Sequence, residues 1–372
     1  MEDNGKAIGE SRGEKGRKKI IAVAAALVVI GIIGYGVQLA MGLGGYVNHA
    51  PWGLYIVVFY CAAGLGAGSL IVASVALAAK LFDNGTLKRL YLVALAGFVV
   101  ASGCIIADLG TPTVLFQMIV SPNFAGPLFY DMLVLIAGIA VAAIGFASLQ
   151  KPTGKRTVLL ACSAAVGVLV LVVEAWILAI TYGHDAWNLL LGFTPALLQA
   201  CVLGLCAAVL LATPDGSRTA DLKGAAIALA IGALTVVVAS GVEAAMGIRD
   251  TLTGEQLLAF VQTPLFWLSG AAAITALVLL GRGSLRAGAA CAAIEVLLLK
   301  TAAIWAGQAI ALTGSGAFVG GFGIGVAEVL VIVGIAALGV LVYELVLMAT
   351  ARKEVGAEGD AAPAAEKKAV IA

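Results

Sequence analysis

Ten runs of apolar residues, each long enough to cross a bilayer, leave this chain little freedom in what it can fold into. They cover roughly 19–44, 54–80, 88–109, 127–148, 157–182, 194–213, 224–247, 264–281, 286–312 and 323–350. A hydrocarbon core about 30 Å thick needs about 20 apolar residues at 1.5 Å per residue. Inside that core every backbone N–H and C=O must be satisfied within the chain, so such runs become helices. Composition agrees: 62% of residues are hydrophobic and 12% charged, where soluble domains average about half and a quarter. The sequence predicts an all-α integral membrane protein of ten transmembrane helices. The first run has the position of a signal peptide, but it is about 25 residues long and no small-x-small cleavage site follows it, so it reads as a retained helix.

The basic residues orient the helices. Lys6, Arg12, Lys15, Arg17, Lys18 and Lys19 precede the first run. Lys80, Lys88 and Arg89 fill the second loop, Lys151, Lys155 and Arg156 the fourth, Arg218 and Lys223 the sixth, Arg282 and Arg286 the eighth. Arg352, Lys353, Lys367 and Lys368 follow the last run. Only Arg249 falls in an odd-numbered loop, and Lys300 lies inside a run. The positive-inside rule then puts both termini and every even loop in the cytoplasm. A wrong helix count would scramble this alternation. Residues 1–18 read as a cytoplasmic tail, 19–350 as the membrane domain, and 351–372 as a second cytoplasmic tail. The formal net charge of +1 gives no reason to expect nucleic acid as a partner.

Cysteine usage excludes some chemistry. Cys61, Cys104, Cys162, Cys201, Cys206 and Cys291 all lie in apolar runs, and none forms Cys-x-x-Cys. No zinc or iron–sulfur motif is encoded, and the thiols read as small apolar side chains. Haem b would need axial histidines within the helices. Both histidines, His49 and His184, fall in loops, so no haem is expected. The GLGAGS run at 64–69 follows no strand and sits inside an apolar run, so it reads as a helix-packing surface rather than a phosphate loop. The GSGAFVGGFGIG run at 314–325 reads the same way.

One stretch organises the rest: Asn48 to Ser69, NHAPWGLYIVVFYCAAGLGAGS. Pro51 suits the start of a helix. Trp52 and Tyr55 suit headgroup depth. The glycines allow a second helix to approach closely. This start, with DLGTP at 108–112 and SPNFAGPLFYD at 121–131, resembles the NrfD/PsrC family, the membrane subunits of polysulfide-reductase-type molybdoenzyme complexes. The motifs span roughly 48–131; the hydropathy matches along the whole chain.

The resemblance implies a core at about 48–312 of two four-helix bundles, built here from helices 2–5 and 6–9, with helices 1 and 10 added. It implies a quinone or quinol (menaquinone or ubiquinone) at the outer end of the first bundle. It also implies a ferredoxin-like iron–sulfur subunit docked on the outer face, passing electrons to a molybdopterin catalytic subunit, with the whole in the bacterial cytoplasmic membrane. Such a chain would carry no redox cofactor or catalytic centre of its own. Carried over onto this sequence, the residues expected to bind the quinone are Asn48 and His49, just before the PWGLY motif, Tyr55 within it, Asp108, which opens DLGTP, Thr111 inside that motif, and Tyr130 and Asp131, which close the next block. Thr111 stands where the family often has Arg, and Tyr130 where it often has Trp.

Oxidising a quinol releases two electrons and two protons, so the site needs an apolar slot, partners for two oxygens and a proton acceptor with a route to water. A histidine or carboxylate suits the acceptor role. His49 has the position and type, although an interfacial histidine bonding only its own loop would look the same. His184 is the weaker candidate, since it has no motif match. Asp131 falls in a first helical turn, where the dipole favours a carboxylate. Asp108 falls at a helix C-terminus, where it does not, which makes a functional reason for Asp108 more pressing. Within the runs stand Glu174, Glu243, Glu295, Lys300, Glu328 and Glu344. An ion at the bilayer centre costs about 2.5–3.5 kcal/mol on insertion scales, so these residues face a partner or an interior path. Glu174, Glu243 and Glu328 lie in the outer third and are expected to line the cavity or its proton exit. Glu295 and Lys300 form either a neutralising pair or an inward proton path. Glu344 snorkels at the cytoplasmic end. Two other readings stay open: an ion- or proton-coupled transporter, for which no convincing internal repeat is found, and a quinone subunit that also translocates protons.

Overall fold

The computed structural model describes residues 2–41, 52–110, 113–150, 156–181, 184–212, 251–310 and 324–371, with 231, 234 and 238. Its regular elements are all helices: α1 (Glu2–Ala40), α2 (Leu54–Ala79), α3 (Asn84–Asp108), α4 (Val114–Val120), α5 (Pro127–Ser148), α6 (Thr157–Ala179), α7 (Asp185–Leu191), α8 (Phe193–Leu211), α9 (Thr251–Gln262), α10 (Pro264–Gly281), α11 (Leu285–Gly307) and α12 (Val326–Ile371). Among the described residues nine helical spans are long and apolar enough to cross a membrane. They match nine of the ten apolar runs. Of the run at 224–247 only 231, 234 and 238 are described, each helical. The sixth span starts earlier than its run, at Ala186 rather than 194, because Gly192 breaks the helix without ending the span. Its backbone there is extended, with φ −60° and ψ 179°.

α2 is the hub. Of its membrane window 78% is buried, against 17% for α1. It packs on α3, α6 and α8, and α3–α5 and α5–α6 contacts close a ring of α2, α3, α5 and α6. This is the first bundle expected from runs 2–5. α8 packs on α11 and α11 on α10, beside α2. α1 pairs with α12, which leans on α3, so the first and last helices flank the core.

Small residues set the closest crossings. A β-carbon on Gly68 of α2 would strike the Ala200 carbonyl of α8, and one on Gly204 would strike the Gly68 carbonyl. A β-carbon on Gly31 would stand 2.7 Å from Gly334 Cα, so α1 and α12 also cross backbone to backbone. The Phe98 ring of α3 lies between Gly66 of α2 and Gly138 of α5, each within 3.0 Å of it for a built β-carbon. Lipid offers no hydrophobic drive for helix association, so this close packing is what holds the spans together.

Polar contacts sort the two ends of the helices. At one end Asp83 caps α3 by accepting from Gly85 N at 2.9 Å. There too Arg89 Nη1 donates to Leu211 O at 2.7 Å, Arg156 to Asn84 Oδ1 at 3.2 Å, and Arg17 lies 3.9 Å from Glu344. Arg17, Arg89 and Arg156 thus gather toward one end, and Glu344 has an ion-pair partner as well as its place near the end. The opposite end carries the start of α2, α4, α7 and the end of α11, and the candidate site.

Candidate functional site

A cavity of about 760 Å³ opens in the first bundle at that opposite end. α2 contributes Ile56, Phe59 and Tyr60, with Trp52 just before it. These positions recur at the i, i+4, i+7, i+8 spacing that defines one helix face. α5 presents Leu128, Asp131, Met132, Leu135, Ile136 and Ile139 with the same periodicity. α3 adds Ser102, Ile105, Ile106 and Asp108, and α4 closes the top with Leu115, Phe116, Met118 and Ile119. The walls are apolar, and polar atoms are few: two carboxylates, a phenol and a serine hydroxyl. Phe116 is 69% exposed, Ile119 64% and Ile136 56%, so the cavity reaches the outer surface of the bundle between α4 and α5.

The buried polar groups here are not consumed by the fold. Asp131 is 2% exposed and its Oδ1 finds no hydrogen-bond partner among the described residues. The Tyr60 hydroxyl is in the same condition. A buried, unpaired polar atom costs on the order of 1–3 kcal/mol, so a protein keeps one in a cavity when a ligand can use it.

The second group of helices braces the cavity wall. Gln308, just past α11, holds the Trp52 backbone from both sides: Trp52 N donates to Gln308 Oε1 at 3.3 Å and Gln308 Nε2 donates to Trp52 O at 2.7 Å. The Trp52 ring stacks on Trp187 of α7 at 4.1 Å and 3°. Trp187 donates its indole N–H to Ala303 O at 3.1 Å and stacks on His184 at 4.3 Å. His184 Nδ1 bonds Gly307 O. A carbonyl only accepts, so Nδ1 carries the hydrogen.

The structure brings together only part of the sequence-predicted set. Asp108 and Asp131 both line the cavity. Tyr55 does not: it is fully buried in a small cluster with Ala107 and Val331, and its hydroxyl donates to Gln38 of α1 at 2.6 Å. Tyr130 also lies off the cavity. Its hydroxyl donates to Phe124 O at 3.2 Å and its ring faces Trp176 at 5.5 Å. One residue along a helix turns a side chain by about 100°, which is why Asp131 lines the cavity and its neighbour Tyr130 does not. Glu328, expected to line the cavity or its proton exit, caps α2 instead, accepting from Leu54 N at 2.7 Å. Glu295 and Lys300 form no ion pair. Five residues place their side chains about 140° apart around α11; Glu295 faces Cys206 of α8 while Lys300 faces Tyr60 of α2. Glu174 is buried just beyond the cavity, one turn from the lining residue Ile177. Asn48, His49, Thr111 and Glu243 lie outside the described residues. Phe59 and Tyr60 were legible in principle from their spacing after Trp52. Gln308 was not, since 256 residues separate it from the backbone it holds.

The fold and the site together define an all-α, multi-pass membrane protein with a carboxylate-bearing cavity that opens between α4 and α5. No family model matches the chain. Over 117 residues it is 38% identical to a protein of Halobacterium salinarum named as a membrane subunit of dimethyl sulfoxide reductase; the stretch is 30% of this chain and 26% of that relative. The aligned part is thus about a quarter of the relative's length. Over that stretch the chain is thus similar to a protein named as a membrane subunit of an oxidoreductase.

Proposed function

We propose that this chain is the quinone-reactive anchor subunit of a respiratory molybdoenzyme complex. It exchanges electrons between the quinone pool and an iron–sulfur subunit docked over the α4 end, with a molybdopterin subunit beyond it. Both termini and the Lys- and Arg-rich loops lie in the cytoplasm, in keeping with the positive-inside rule. The observation that carries the reading is the cavity itself. Its volume of about 760 Å³ is in the range of small-molecule sites, roughly 300–1,000 Å³. Its apolar walls and its opening to lipid suit a ligand that arrives through the membrane. Its unpartnered Asp131 and Tyr60 atoms suit the two oxygens of a quinol ring.

The residues divide the work by position. Asp131, ionised, accepts a hydroxyl proton from the ligand. Tyr60 donates to or accepts from a ring oxygen. Asp108, at the outer end of α3, provides the second acceptor. α4 keeps bulk water from the apolar part of the slot. Trp52, fixed by Gln308 and Trp187, sets the slot's width. His49 and Asn48 precede this wall in sequence and remain candidates for the proton route to the surface.

The test is purification in mild detergent from native membranes, followed by binding of the fluorescent quinol analogue heptyl-hydroxyquinoline N-oxide. Co-purification of an iron–sulfur and a molybdopterin subunit, with saturable quenching of the analogue, is the expected result. A chain that emerges alone and stable, with no quenching, overturns the assignment.

A further inference from the structure

Lys300 begins in the second group of helices and ends in the first. It stands on α11, is 1% exposed, and reaches across to α2. A β-carbon on Gly64 would touch its Cε at 3.9 Å and its Nζ at 4.0 Å, and Nζ stands 5.8 Å from the Tyr60 ring centroid. Tyr60 lines the cavity. Gly64 is one turn farther from the Trp52 end, about 6 Å along the helix axis. Lys300 therefore sits directly beneath the cavity.

Glu174 of α6 sits at the same level. It is 1% exposed, and neither carboxylate oxygen has a hydrogen-bond partner among the described residues. It lies one turn deeper than Ile177 on the same face of α6, and Ile177 lines the cavity. It is near enough to Lys300 and to Asp131 to feel their charges, and Tyr60 is near enough to feel both carboxylates. The titratable groups facing this point are Tyr60 and Cys61 from α2, Asp131 from α5, Glu174 from α6 and Lys300 from α11; Cys104 of α3 faces Cys61.

This arrangement is not that of a structural salt bridge. A buried pair kept for stability holds its charges in direct contact and satisfies the remaining lone pairs, because desolvation otherwise exceeds the attraction. Glu174 and Lys300 form no contact within 4.0 Å and leave both carboxylate oxygens unbonded. They feel one another's charge without being locked together, and the intervening groups lead to the cavity.

We propose that Glu174 and Lys300 form a proton-holding site beneath the cavity, charged from Asp131. This rests on the reading of the cavity as a site for a hydroxyl-bearing ligand. Asp131 takes a proton from the ligand hydroxyl: that O–H bond breaks and one forms on the aspartate. The proton then passes inward to Glu174, and Asp131 returns to carboxylate. Glu174 then holds the proton beside Lys300. No electron moves in either transfer.

The site predicts that ligand binding and proton binding are linked. The test uses the full chain with its co-purifying subunits in nanodiscs. Heptyl-hydroxyquinoline N-oxide is titrated calorimetrically in two buffers of different ionisation enthalpy, which counts protons exchanged per ligand bound. Wild type is expected to exchange a measurable fraction of a proton near neutral pH. Glu174→Gln and Lys300→Met are each expected to bind the analogue while losing about half or more of that exchange. The double variant, which buries no charge at this point, reports the same loss should Lys300→Met alone fail to assemble. Equal proton counts in wild type, Glu174→Gln and the double variant overturn the proton-holding site and leave the cavity reading standing. A wild type that does not bind the analogue overturns both.

Discussion

Replacing Gln308 with Leu asks whether the second group of helices really shapes the cavity of the first. The side chain of similar size keeps the packing, but both bonds to the Trp52 backbone are lost, at 3.3 and 2.7 Å. Each is worth about 0.5–1.5 kcal/mol net. Together they contribute roughly 2 kcal/mol toward holding Trp52 against Trp187, equivalent to about thirtyfold in any equilibrium that requires that position. Trp52 is part of the cavity wall, so the expected result is a Kd for heptyl-hydroxyquinoline N-oxide weakened by about ten- to thirtyfold. The measurement is fluorescence quenching in nanodiscs, with circular dichroism and size exclusion confirming an intact helical fold. A Kd within about twofold of wild type, in a folded protein, would refute the bracing argument, since about 2 kcal/mol cannot vanish from a coupled equilibrium.

Four further outcomes follow from the same geometry. Asp131→Leu removes the unpartnered carboxylate from the cavity and should weaken binding of the analogue by about tenfold or more; Asp131→Asn, which keeps the shape and a hydrogen-bonding oxygen, should retain most of the affinity while quinol oxidation by the intact complex falls sharply. Glu328→Ala strips the cap from Leu54 N and should destabilise the fold by about 1.5–3 kcal/mol, read as a lower midpoint in detergent-induced unfolding, whereas Glu328→Gln should recover much of the loss. Gly68→Leu drives a side chain into the Ala200 carbonyl, beyond the roughly 1–3 kcal/mol of ordinary overpacking, and should abolish recovery of monodisperse protein. A membrane-impermeant maleimide added to intact cells should label Asn123→Cys and spare Asn84→Cys; the reverse pattern would invert the topology.

Everything legible before folding rests on local rules. Run length fixed the helical class, because lipid accepts no unpaired backbone. The alternation of basic loops predicts a direction for every helix, and the structure gathers Arg17, Arg89 and Arg156 toward one end. Proline placed the start of α5 at Pro127, at the position where its missing N–H goes unneeded. The glycines at 64–68 marked α2 as a helix to be packed against, and α2 became the hub. Asp108 and Asp131 were legible as candidates because the motifs that carry the family resemblance contain them, and both line the cavity.

Helix packing, by contrast, settled which polar side chains face which space. Tyr55 and Tyr60 are both tyrosines of one helix, five residues apart. The first is bonded to Gln38 behind the bundle, and the second has its hydroxyl beside the cavity. Glu328 became a cap and Lys300 turned from Glu295 toward Glu174, because those outcomes depend on the rotation of α12 and α11 against α2. Gln308 could not be found at all from its own surroundings. The physical reason is common to these cases. Hydropathy is summed along one helix and survives without neighbours, whereas the partner of a buried polar group is chosen by the packing of helices hundreds of residues apart in sequence.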